Sequence, residues 1–535
     1  MILKYSKKAL YAFLYQKNPR RYTKLMKLIT IIASFLLVVF SINSYSQITS
    51  AENTLSEIRN EGFNNSEALQ MLSQLTDIYG QRLTGTREYF KAANWMSTEM
   101  KKIGLQDVHF ENYCDDCRGW DIKTFAVEMV APNYMNISAY PLAMSKSTEG
   151  TVSGGLIHIE SFTDMNKLKR NFSGKLKGKI ILLGAAPKKK SLLDTLEFRF
   201  SDKQLKEMEQ QLTAEEAATP LPELFEEWKI ADKSDENFLR FAENEGALAV
   251  MTSRDMYLGV LHPQGTYYFR TDDLKPLPYF TIMPEHFGRL YRMIQLNSAP
   301  TIRINLETEF YHEPENNVNI IGEISGNDAK LKSESILVGA HFDSWHAATG
   351  ATDNGANCVV LVEALRILKQ IGYKPKRTIK IGLWGGEEQA FLGSAAYANK
   401  HFGALNEEPN SESKKVTAYL NLDNGAGLIR GIYLQNNELA RPFFKNIFAP
   451  ISTLSTGAIT IENTLSTDHE TFDYYYIPSF QFIQDDLAYG TATHHTNLDF
   501  LEYVHEDDIM KNAVILAWTI YSLDNKKEKI PRKEN

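Results

Sequence analysis

A chain of 535 residues, 43% of them hydrophobic and 11% aromatic, can bury a large core and is long enough for more than one domain. Lysine and arginine total 58 against 66 acids, a net charge of −8, and because residues 1–46 hold eight basic residues and no acid, the remainder carries −16. So acidic a chain lacks the basic surface that nucleic acid or an anionic membrane would require.

At the N-terminus, Lys24, Met26 and Lys27 precede an apolar run over 28–40, and small residues follow at Ser44 and Ser46 in cleavage-site spacing. The run is 13 residues, short of the roughly 20 that a membrane-spanning helix needs. Residues 1–46 therefore read as a signal peptide cleaved after Ser46, with Met26 the initiator if 1–25 come from an upstream start codon. The mature chain is expected to be exported, periplasmic or secreted, without stable membrane insertion; retention of the run as an anchor is the alternative.

Residues 66–79 and 87–103 carry helical periodicity, the second ended by Gly104, and open a catalytic domain over 47–144. Cys114 and Cys117 form a lone Cys-Asp-Asp-Cys, which suits a local disulfide or two plain thiols better than zinc. From about 145 the texture changes to short strands and glycines at 156–159, 178–184 and 245–251, an inserted module over 145–308. Within it, Leu205, Met208 and Leu212 predict one solvated amphipathic helix in the charged stretch 201–228.

The main catalytic part runs over 309–525, before a charged tail at 526–535. Strands at 335–339, 377–384 and 416–422 alternate with helices at 354–371 and 389–400, where Cys358 reads as a small core residue. Alternation of this kind predicts an α/β fold, a three-layer α/β/α sandwich with a mainly parallel central sheet. In such sheets functional groups gather beyond the carboxyl ends of the strands.

Four segments end a predicted strand with metal-competent side chains: His341-Phe-Asp343, Asp353-Asn-Gly355, Glu387-Glu388 and Asp423. A fifth, His494-His495-Thr-Asn-Leu-Asp499, lies near the C-terminus. Each alone has a plain alternative, since aspartate caps helices and Glu-Glu pairs suit helix starts. Together, imidazoles and carboxylates at one kind of strand end suit divalent ions, zinc above all, with a carboxylate such as Asp353 able to bridge two. Spacing alone does not choose between His494 and His495, whose side chains point to opposite faces if the segment is extended.

The stretches His341-Phe-Asp-Ser-Trp-His-Ala-Ala-Thr-Gly-Ala-Thr-Asp-Asn-Gly-Ala-Asn357 and Leu383-Trp-Gly-Gly-Glu-Glu-Gln-Ala-Phe-Leu-Gly-Ser394 closely resemble the zinc exopeptidase family of bacterial leucyl aminopeptidases and carboxypeptidase Q, the latter most of all. The resemblance covers most of 310–520, and the insertion looks like the family's protease-associated domain. It implies two zinc ions per chain: His341 and Asp423 on one, Glu388 and His495 on the other, Asp353 between them. Glu387 becomes the general base that activates a water shared by the ions, and Asp343 orients His341 by accepting its other ring proton. Asp499 supports its own loop. Asp468 and His469, in Ser466-Thr-Asp-His469, match a segment near the substrate pocket; Tyr489 and Arg430 are further candidates to bind a substrate terminus, and His346 is a loop residue. The implied substrate is a peptide or dipeptide, trimmed as by a carboxypeptidase or dipeptidase, with an aminopeptidase as the alternative, and a homodimer is allowed for. All five ligand positions are filled, which disfavours both the single-zinc glutaminyl cyclases of this fold and receptor-like members that have lost ligands.

Overall fold

A computed structural model of the chain describes residues 51–533 apart from 189, 192, 215–220, 257–258, 266–269, 271–276, 406 and 456. The expected signal peptide, with Met26, Ser44 and Ser46, lies outside the described residues. The chain divides after Asn60. Before that point the described residues 51–60 are helical, and the unit that begins at Glu61 holds two eight-stranded sheets.

The first sheet runs, in spatial order, Gln106–Asn112, Val318–Ile324, Thr378–Trp384, Ser335–His341, Val416–Asn421, Ser479–Gln484, Ile429–Tyr433 and Ala458–Thr460. Its four middle strands, from Thr378–Trp384 to Ser479–Gln484, are parallel. The neighbours on either side join them antiparallel, so the sheet is parallel at its centre and mixed overall. Every residue of Ser335–His341 and Val416–Asn421 is buried, the continuous apolar pattern of strands covered on both faces. Helices Ala356–Gln370 and Glu506–Asp524 pack on each other and on Ser335–His341. Leu392–Phe402 and His469–Tyr474 pack with Trp384, Tyr419 and Phe472.

The second sheet runs Met135–Asn136, Gly119–Ala131, Thr301–Tyr311, Val152–Ile159, Lys179–Leu183, Ala249–Thr252, Tyr279–Ile282 and Ala139–Pro141. It is parallel from Val152–Ile159 to Tyr279–Ile282 and antiparallel elsewhere. The sheet thus begins well before residue 145, because Gly119–Ala131 finds its partner in Thr301–Tyr311, with Trp120 opposite Phe310.

The single helix expected over 201–228 is two, Asp202–Glu209 and Leu221–Asn244. Leu205 of the first packs on Ala458 and Ile483 at the edge of the first sheet, which anchors that helix apart from the second. Leu212 lies beyond its end and is exposed. Cys114 and Cys117 form a disulfide, and Cys358 is buried. Among the described residues no helix is long and apolar enough to cross a membrane.

Candidate metal centre

Parallel register brings the ligand-bearing loops to one edge of the sheet. His341 is the last residue of its strand and stands beside Trp384, the last of its neighbour, while Gly339 stands beside Asn421 on the other side. The chain that leaves Trp384 turns at Gly386, in the left-handed region with φ 68°, straight into Glu387 and Glu388. The chain that leaves Asn421 reaches Asp423 two residues later. Three loops therefore converge beyond three adjacent carboxyl ends.

Their side chains meet in one buried cluster. His341 Nε2 lies 3.1 Å from Asp423 Oδ1 and 3.2 Å from Asp353 Oδ1. His495 Nε2 lies 3.3 Å from Asp353 Oδ2 and 3.0 Å from Glu388 Oε2. The two oxygens of Asp353 thus face different histidines, the arrangement of a bridging carboxylate. Of the two adjacent histidines, His495 makes these contacts, while the His494 ring packs on Tyr489 with centroids 4.7 Å apart. Ligand atoms of His341, Glu387 and Asp423, and of His341, Asp353 and Glu388, each lie within 4.8 Å of one another. Asp353 Oδ2 and Glu388 Oε1 are buried with no hydrogen-bond donor, so the donor set fits cations that would occupy the space between them.

The electrostatics are those of acids crowded away from water. Burial raises Glu387 well above the ordinary carboxylate range, with Asp423, Asp468 and Glu388 adding to it and His341 opposing. Burial pushes Glu388 up to about 7, against His495.

A second layer holds this cluster in shape. His341 Nδ1 lies 3.1 Å from the backbone carbonyl of Asp343, closer than the Asp343 carboxylate at 3.6 Å. The main-chain carbonyl of Asp343 is thus the nearer acceptor for His341, with its carboxylate also facing that ring nitrogen. The carboxylate further accepts the backbone N–H groups of Glu387 at 3.1 Å and Glu388 at 3.2 Å. Asp499 accepts from the Thr352 amide at 2.5 Å, the Thr352 hydroxyl at 2.7 Å and the Asp353 amide at 3.2 Å.

The sequence reading passed over Arg82. Its buried guanidinium donates to the carbonyls of Phe342, Thr349, Gly350 and Gly80 at 2.6 to 3.2 Å, stapling the loop between His341 and Asp353. The only local signal is an arginine in a glycine-flanked turn, Gly80 to Gly85, between two helices.

The remaining candidates separate. Asp468 is fully buried with both oxygens lacking a donor, and burial pushes it up to about 8, with Asp423 and Asp343 adding to the effect and His341 opposing it. Tyr489 packs on His494 beside the cluster, and burial with the charges of Asp353, Asp423, Glu388 and Glu387 raises its hydroxyl well above its usual value. His469 turns away, its Nε2 2.9 Å from the Thr464 carbonyl. Arg430 is engaged by Asp485 at 2.8 Å and by the Phe200 carbonyl. His346 contacts the Pro141 carbonyl at 2.8 Å, tying the loop to the second sheet.

The chain over 319–519 matches the family model described as peptidase family M28. All five expected ligand positions, together with Glu387 and Asp343, fall inside the matched stretch. Over 464 residues the chain is 22% identical to carboxypeptidase Q of Mus musculus, a match covering 86% of this chain and 87% of that one. Two solved structures, each 20% identical, share the fold. A peptidase M28 precursor from Shewanella amazonensis aligns over 91% of this chain and 100% of its own with a TM-score of 0.67. BSAP, a zinc aminopeptidase from Bacillus subtilis, aligns over 85% and 93% with a TM-score of 0.55.

Proposed function

We propose that the chain is an exported, dinuclear zinc exopeptidase that hydrolyses peptide bonds near a chain terminus, in the manner of a carboxypeptidase Q-like carboxypeptidase or dipeptidase. The observation that carries this reading is Asp353, whose two oxygens face His341 and His495 separately. His341 with Asp423, and Glu388 with His495, would complete the two ion sites. Bound there, two zinc ions would supply Lewis acidity and an acidified water.

The chain's own residues do the rest. Glu387, whose carboxylate lies within 4.8 Å of ligand atoms of His341 and Asp423, would take the proton from water and return it to the leaving amine. Asp343 fixes the Glu387-Glu388 turn from behind. Burial of the cluster excludes bulk water and strengthens each charge interaction. The inserted module reads as a protease-associated-like domain over 145–308, to which the strands from Gly119 to Pro141 add.

The test is zinc content of the purified mature protein, with dipeptide hydrolysis by wild type and Glu387→Gln. Close to two zinc ions per chain in both, and turnover lost only in the variant, is the expected result. One ion per chain, or robust activity in Glu387→Gln, overturns the dinuclear reading or the role of Glu387 respectively.

A further inference from the structure

Direction of trimming is the question the ligand set leaves open, and the second sheet supplies an answer. After strand Ala249–Thr252 the chain passes Arg254 and comes back over the metal centre with the segment that holds Leu261 and His262. That segment is tied to the ligand loop: Leu261 N–H donates to Asn497 Oδ1 at 2.7 Å, and Asn497 N–H donates to the Leu261 carbonyl at 3.1 Å. The His262 ring then meets the His495 ring edge to face, centroids 5.8 Å apart, and Arg254 Nη1 stands 3.4 Å from His262 Nε2. One imidazole separates a guanidinium from a ligand of the metal centre.

Arg254, like Arg289, has no carboxylate partner among the described residues. Arg87, Arg199, Arg366 and Arg377 each pair with a carboxylate, and the buried Arg82 is saturated by carbonyls. The side chains within hydrogen-bond reach of Arg254 are His262 and Gln264, both without negative charge, and among the described residues no carboxylate pairs with it. Arg254 is itself exposed, so its guanidinium is open to an incoming anion. Because Arg254 can only donate, Nε2 of His262 must accept and the ring proton sits on Nδ1, a buried donor with no acceptor.

We propose that Arg254 receives the free α-carboxylate of the substrate, which makes the reaction release of a C-terminal residue or cleavage of a dipeptide. The inference rests on the peptidase reading above. In such a substrate one Cα separates the scissile bond from the terminal carboxylate, a span of about 4 Å. Arg254 stands across the His262 ring from His495, and a guanidinium binds a carboxylate through two parallel hydrogen bonds. The same cation repels a substrate's terminal ammonium, so an N-terminal recognition site does not belong on this side of the cleft.

The experiment uses the full-length zinc-loaded enzyme with alanyl-leucine and its C-terminal amide, in wild type, Arg254→Ala and Arg254→Lys. Wild type is expected to favour the free acid. In Arg254→Ala the acid-to-amide ratio of kcat/KM should fall about 10- to 100-fold, chiefly through KM for the acid, with Arg254→Lys intermediate and zinc content equal in all three. An unchanged ratio in Arg254→Ala with zinc retained overturns the proposal. Equal cleavage of acid and amide by wild type overturns it too, while the peptidase reading stands. Failure of zinc-loaded wild type to cleave either compound removes the peptidase reading, and this proposal with it.

Discussion

Asp343 accepts the backbone N–H of Glu387 at 3.1 Å, and its other carboxylate oxygen takes the N–H of Glu388. A side chain that touches no ligand atom closer than 3.6 Å thereby sets the position of both the proposed base and one ligand. Asp343→Asn keeps the shape but turns one acceptor into a donor that faces an N–H. Activity should drop about 10- to 100-fold, with zinc affinity reduced by less. Steady-state kinetics beside a competitive zinc titration will show whether both fall together, which would point instead to simple loss of His341.

Arg82 carries the loop between His341 and Asp353 on backbone carbonyls alone. Arg82→Ala leaves buried carbonyls without donors and opens a cavity, so urea denaturation should show a loss of about 3–5 kcal/mol. Arg82→Lys, which cannot span the same fork, should recover only part of that. A neutral Arg82→Ala would mean water replaces the guanidinium without cost.

The carboxylates of Asp353, Glu387, Glu388, Asp423 and Asp468 crowd one site, where among the described residues His341 and His495 are the cationic partners in contact with them. Bound cations should therefore stabilise the fold, by about 4 kcal/mol at free zinc a thousandfold above Kd. Chelation should lower Tm, and added zinc should restore it. A Tm indifferent to chelator would show that the acids are stably protonated without metal.

Away from the centre, Glu111 is held down to about 2: burial pulls it upward, but His401, His109 and Lys400 outweigh burial. A depressed carboxylate contributes stability above its unfolded pKa near 4.5 and loses it as pH falls toward 2. Glu111→Gln should cost about 1 kcal/mol at neutral pH after allowance for solvent screening, and the difference from wild type should shrink between pH 4.5 and 2. A gap independent of pH would indicate lost packing rather than charge.

Of the five expected ligand positions, His341, Glu388 and Asp423 lie at or within four residues of the ends of apolar strands, where the pattern makes them conspicuous, whereas Asp353 and His495 lie in loops well past a strand end and were read from the family resemblance. The parallel centre of the sheet was legible for the same reason. Beyond the reach of local pattern were pairings between distant segments. Gly119–Ala131 looks like any alternating strand until Thr301–Tyr311 is beside it, so the sheet's start was set too late. Leu205 and Leu212 share a helical spacing, yet only Leu205 finds an apolar partner, in Ala458 and Ile483. Arg82 and His262 act through groups well over two hundred residues away, and composition carries no trace of that.

Asp353 also decides how the ions would come and go. In the proposed dinuclear site one of its oxygens would belong to each half, and Asp499 clamps the backbone that carries it. Emptying either half leaves that carboxylate poorly compensated in a buried site and loosens its grip on the other half. Uptake of zinc should therefore be cooperative: the half-filled protein is scarce along the titration, and the binding curve is steeper than two independent sites can produce.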